Sequence, residues 1–343
     1  MKAIVCTKLA VLSFKICFAV LCNCCMQEWR GYYMNTAKLN YQDFVQELRK
    51  TLLYFIPRDV QLDIHPVLKN NSLHLDGLVL RQDGQNMTPN FYLQDYYNQY
   101  SIGRTVDELA QDILHQWKEM EGISCRKLPD MTFANCRNYI VYRLVNAKRN
   151  QELLEEIPHI PFLDLAVTFY YLVEQNADGI SSIRISNSLI EQWGVNIQTL
   201  MELASQNTPR LFPYQFHPLQ QFLQTVFGVG KAYDMASQET IEVPIHLLTN
   251  TMGINGAAVW LYPDLLSKIA KVLGSNFYIL PSSIHELLLL REEESITEEG
   301  LLEMVAHVNR ACVLPAEILS DNIYLYDKEK NAVCIIEQTS DNV

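Results

Sequence analysis

Residues 277–290 read FYILPSSIHELLLL. Two apolar runs, 277–280 and 287–290, flank a polar knot of Ser282, Ser283, His285 and Glu286. Pro281 is expected to end the first run as a strand. Ser283 stands three residues before Glu286, which is capping-box spacing. In that motif Ser283 accepts a backbone N–H near Glu286, and Glu286 reaches back to the N–H of Ser283. The knot is then a corner between two buried segments, and the positive end of a helix dipole keeps His285 neutral. The competing reading makes His285 a base or metal ligand beside Glu286. Adjacent residues on one helical turn point apart. Leu289 also stands where an HExxH zinc motif needs its second His. The corner is the favoured reading.

The segments around the knot carry clear signals. A helix is expected over 263–273, with Pro263 and Asp264 at its start and Gly274 as its stop. Segments 243–248 and 257–261 read as strands around Asn255-Gly256, a hairpin signal. Ser295 and Glu298 offer another capping box, followed by a helix burying Leu301, Val305, Val308 and Cys312. A last hairpin joins 323–326 to 333–336 around the charged turn 327–331.

Earlier in the chain, 41–55 has Phe44, Val45, Leu48, Leu52 and Phe55 at helical spacing, closed by Pro57. Segments 60–68, 73–80 and 90–93 form a strand meander, with a bulge expected at Gly77. Thr105 and Glu108 cap a helix burying Val106, Leu109, Ile113 and Trp117. Segments 139–144, 163–173 and 180–185 read as strands. A helical stretch over 150–157 and a Pro158/Pro161 corner separate the first two. A helical pair follows the third, capped by Asn187 and Asn196 and parted by Gly194. The prolines of 208–218 predict irregular chain. Mixed strands and helices with hairpin connections predict an α+β fold of largely antiparallel sheets. Two subdomains are expected, 34–130 and 131–343, which could form one continuous unit.

Residues 1–33 look different. They hold five of the nine cysteines, Cys6, Cys17, Cys22, Cys24 and Cys25. A signal peptide is opposed by Lys8 and Lys15 and by the lack of a small-x-small cleavage site. A membrane anchor is opposed by the short apolar run 16–22. The favoured reading is a mis-assigned start, with translation beginning at Met34.

The formal net charge is −12. Such a chain repels phosphate backbones and anionic membrane surfaces, so neither nucleic acid nor membrane is an expected partner. Taking away the four basic and one acidic residue of 1–33 leaves 23 basic and 38 acidic residues. The remaining Cys125, Cys136, Cys312 and Cys334 form no CxxC pair, which fits a reducing, cytoplasmic compartment. The glycosylation-type sites at Asn70 and Asn86 then carry no meaning.

Catalytic motifs fail one by one. GVGKA at 228–232 lacks the first Gly and the hydroxyl residue of a phosphate loop. There is no GxSxG elbow and no GxGxxG, so no cofactor is expected. No two histidines stand at i,i+4. A metal site from distant residues would draw first on His246, His285 and Glu286, but none is expected. Phe91, Tyr92, Tyr96, Tyr97 and Tyr100 could stack bases or sugars, yet Asp95 lies among them and no basic residue does; packing is favoured.

The stretch LTNTMGINGAAVWLYPDLLSKIAKVLGSNFYILPSSIHELLLL resembles an uncharacterised bacterial family of gut Firmicutes, a domain of unknown function of the DUF5688 kind. YQDFVQEL, RISNSLIEQWGV and VNRACVLPAEILSDNIYLYD match as well. The resemblance runs from about Met34 to the C-terminus and implies no activity and no functional residues. Two classes stay open. One is a non-catalytic interaction or regulatory module with a protein partner. The other is a hydrolase-type enzyme using His285 and Glu286.

Overall fold

A computed structural model describes residues 38–82, 88–119, 130–176, 179–222, 245–293 and 297–337. The expectations for 1–33, Asn86, Cys125, 228–232 and Ser295 lie outside them. The fold is α+β. The chain divides into two compact units. The smaller draws on residues 38–69 and 73–131, the larger on Asn70–Ser72 and residues from 132 onward.

In the smaller unit, helix α1 (Tyr41–Phe55) is capped by Asn40, whose side chain accepts from the Asp43 N–H. Its Phe44, Leu48 and Leu52 are fully buried at one-turn spacing, while Phe55 is 47% exposed rather than in the core. Strands β1 (Val60–Lys69), β2 (Leu73–Gln82) and β3 (Phe91–Tyr92) form the expected meander. The β1–β2 register runs unbroken, so there is no bulge at Gly77. Glycine is needed there because a Cβ would collide with the Asn90 side chain and with Val67. Helices α2 (Leu93–Ser101) and α3 (Val106–Glu119) follow. Thr105 and Glu108 form a full capping box: Thr105 N–H donates to Glu108 at 2.9 Å and Glu108 N–H to Thr105 Oγ1 at 3.3 Å. The aromatic cluster is packing, with Tyr97 and Tyr100 against Tyr41 and Phe44.

The larger unit holds two antiparallel sheets. Short helix α4 (Phe133–Cys136) leads into β4 (Ile140–Asn146). Then come α5 (Gln151–Glu156), β5 (His159–Phe162), β6 (Leu165–Asn176) and β7 (Gly179–Arg184). These strands make one sheet in the order β4-β6-β5, with β7 also on β6. The expected Pro158/Pro161 corner is thus partly a strand; Pro161 is tolerated because β5 lies at an edge.

Helices α6 (Asn187–Trp193) and α7 (Ile197–Leu211) follow. Ser186, not Asn187, caps α6, and Asn196 caps α7. Gly194 takes the left-handed conformation, φ 66°. The prolines of 208–218 do not make irregular chain. Pro209 sits inside the last turn of α7, and Tyr214–Pro218 is strand β8 at a sheet edge.

The second sheet has the order β13-β12-β10-β11-β9-β8. Its further strands are β9 (Ile245–Asn250), β10 (Phe277–Ser283), β11 (Glu286–Arg291), β12 (Ile323–Asp327) and β13 (Ala332–Ile336). Helix α8 (Leu265–Leu273) precedes β10, and α9 (Glu298–Cys312) follows β11. Thr297 caps α9, accepting from Gly300 N–H at 3.3 Å.

The strand expected at 257–261 is a 3-10 helix, Gly256–Leu261. Asn255 turns the chain with φ 52°. A Cβ on Gly256 would fall on Thr249 Oγ1 and the His285 carbonyl, so only glycine lets the segment approach β9 and the knot. All but one residue of this 3-10 segment are buried. An apolar run of that kind does not tell strand from helix by pattern.

Phe277, Ile279, Leu287 and Leu289 face a core shared with the inner face of the first sheet, through Tyr142, Val167 and Phe169. Tyr278, Leu280, Leu288 and Leu290 face α9, through Leu301, Val305 and Val308. Both faces of β10 and β11 are therefore covered. Their continuous apolar sequence follows from that, since neither face needs polar residues.

Candidate functional site

The polar knot closes the β10–β11 hairpin. Ser283 pairs with Glu286, and Ile284 and His285 form the tip. No helix starts here, so the expected capping box is absent, and Pro281 lies within its strand in register with Leu287. The reason is tertiary: 287–290 finds an open strand edge on β9 and pairs with 245–248. The register shifts between Pro281 and Ser283, leaving Ser282 as a bulged residue. A bulge re-aims a side chain. Here Ser282 Oγ donates to Glu286 Oε1 at 3.1 Å. Ser283 Oγ accepts from the His285 N–H at 3.0 Å, tying the tip locally.

His285 anchors the tip to its surroundings. Its Nδ1 accepts from the Asn255 N–H at 3.0 Å. An accepting Nδ1 places the proton of a neutral ring on Nε2, and Nε2 faces Glu317 Oε1 at 3.5 Å. The His285 carbonyl accepts from Thr249 Oγ1 at 2.8 Å. The Ile284 carbonyl accepts from Ala257 N–H at 3.2 Å, and Ile284 N–H donates to the Glu317 carbonyl at 2.8 Å. Thr249, Asn255, Ala257 and Glu317 were not marked as partners of the knot by sequence reading. Asn255-Gly256 was the available signal, but it read as a hairpin turn rather than as a latch on His285.

Glu286 is fully buried. Oε2 has no hydrogen-bond partner among the described residues. Burial pushes the carboxyl up to about 7; the Ser282 hydrogen bond and His285 pull against this, and Glu317 adds to it. A carboxyl held near neutral beside an imidazole has the right proton affinity for acid–base work. The geometry withholds the rest. Ser282 and Ser283 bond to Glu286 and to a backbone N–H, not to the imidazole. Among the described residues no cluster of three His, Cys, Asp or Glu could hold a metal. His246 is not brought to the knot: it pairs with Leu289 on β11 and stacks on Phe216 with ring centres 5.0 Å apart.

A groove opens between α9 and the second sheet, lined by Leu219, Ile245, Leu288, Met304 and Val308 with Ser282 and Asn309 as its polar residues. Among the described residues, no helix is long and apolar enough to cross a membrane. Among the described residues, Cys312 and Cys334 are free thiols.

No curated protein and no solved structure matches the chain. A family model, described as a family of unknown function (DUF5688), matches residues 41–328. With that stretch spanning both units and the knot, the chain belongs to the DUF5688 family.

Proposed function

We propose that the protein is a non-catalytic interaction or regulatory module with a protein partner, working in a reducing, cytoplasmic compartment. One observation carries this reading. His285 Nδ1 accepts from the Asn255 N–H, its carbonyl accepts from Thr249, and its Nε2 faces Glu317 at 3.5 Å. A catalytic imidazole needs a free edge toward a reacting group. The free thiols of Cys312 and Cys334 support the compartment. The hydrolase reading around His285 and Glu286 rests on the raised carboxyl, and the complete burial of Glu286 counts against it.

The test is hydrolysis of a panel of p-nitrophenyl esters, phosphates and glycosides by the purified chain and by Glu286→Gln. The module reading expects buffer-level rates from both. A rate that the native chain shows and Glu286→Gln lacks, with both folded, would establish the hydrolase.

A further inference from the structure

The outward face of the first sheet gathers two arginines that are far apart in sequence. Strand β4 alternates Ile140, Tyr142 and Leu144 into the core, so Arg143 lies on the opposite face. On β6 the same face carries Thr168 and Tyr170, which stand in register with Arg143 and Arg184 respectively. Ser182 of β7 occupies the next position along, opposite Leu172.

Arg143 reaches across this face. Its guanidinium lies over the Tyr170 ring, 3.9 Å from the centre, and donates to Ser182 Oγ at 2.6 Å. Ser182 accepts in that bond, so its own O–H remains a donor. Arg184 lies on the same face, opposite Tyr170, near enough for its charge to act on Arg143, and its Nε is buried with no hydrogen-bond acceptor among the described residues. Neither arginine pairs with an Asp or Glu among the described residues. Burial pushes Arg143 below its ordinary value, and the charge of Arg184 pushes the same way.

In a chain of net charge −12, acidic partners are abundant, yet two neighbouring guanidiniums have none among the described residues. Buried and half-buried charges are normally paired, because an unpaired one loses hydration without compensation. A carboxylate would neutralise only one of the two. A phosphate monoester carries about −1.5 to −2 charge at neutral pH and offers three acceptor oxygens. That matches two guanidinium forks and one hydroxyl donor.

We propose that this face binds a phosphate group between Arg143 and Arg184, with Ser182 as a third donor. The site is separate from the His285 knot, so it stands whether or not the module reading does.

Calorimetric titration of the full chain with inorganic phosphate at pH 7, ionic strength held constant with chloride, tests it. Saturable binding is expected, weakened about tenfold or more in Arg184→Gln. Among the described residues the Arg184 side chain makes no hydrogen bond or ion pair, so this variant should melt no lower than the native chain without phosphate. Ser182→Ala should weaken binding as well. Titration with adenosine monophosphate separates the sources: tighter binding than inorganic phosphate marks an organic phosphate, and weaker binding marks the free ion. The proposal is overturned if phosphate gives no saturable heat, if acetate binds as tightly, or if Arg184→Gln binds phosphate like the native chain.

Discussion

Ser282 Oγ donates to Glu286 Oε1 across 3.1 Å, the one hydrogen bond that the Glu286 carboxyl makes among the described residues. The carboxyl is fully buried, and its folded value stands at about 7 against an ordinary 4.5. A raised acid favours the folded state while it is protonated. Its contribution is complete below pH 4.5 and is lost as pH rises through 7. At 1.36 kcal/mol per pH unit, the loss is of the order of 3 kcal/mol. Urea denaturation at a series of pH values should show it as a falling stability that flattens in Glu286→Gln. Equal slopes in the two proteins would remove Glu286 from the account.

Ser282→Ala moves the same property the other way. The hydrogen bond favours the ionised form, so its loss should carry the falling limb to higher pH. A limb moved to lower pH would contradict the assignment of Ser282 as the donor.

Gly256→Ala tests the approach of the 3-10 segment to the hairpin tip. The added Cβ meets the His285 carbonyl and Thr249 Oγ1, and backbone does not yield as a flexible side chain does. A cost of about 1–3 kcal/mol is expected, the usual scale of overpacking. Denaturation midpoints that coincide with the native chain would mean that the contact is looser than described.

How much of this was legible in the sequence depends on where the information resides. Helix α1 was read to the residue, the start of α3 through its Thr105 cap and the end of α8 through Gly274, because these residues act on their own neighbours; the expected start of α8 was not, since Asp264 takes the left-handed conformation, φ 58°, and the helix begins at Leu265. The double-sided burial of 277–280 and 287–290 was legible from unbroken apolar runs. The knot was half legible. Its role as a corner was read, but Ser283 and Glu286 turned out to face each other across a hairpin instead of along a helix. Capping-box spacing and a tight turn place the same residue types close together, and only the partner strand β9 decides between them. Tyr214–Pro218 was missed because proline is excluded from a central strand but not from an edge. The Arg143–Arg184 juxtaposition is created by β6 lying between their strands, and no local pattern records that.

Hydrogen exchange should find the slowest amides of the larger unit within β10 and β11. Each has a strand on both sides, and their two faces are buried against separate cores. Protection that is higher in β8 or β13, the sheet edges, would contradict the layering.

Thermal melting of His285→Gln bears most directly on the claim that the knot is a structural latch. Glutamine cannot both accept from the Asn255 N–H and face Glu317 in the geometry of the ring. The account predicts a loss of about 1 kcal/mol, the scale of one hydrogen bond, seen as a melting temperature lower by a few degrees. A melting curve superimposable on that of the native chain would show that His285 holds nothing together.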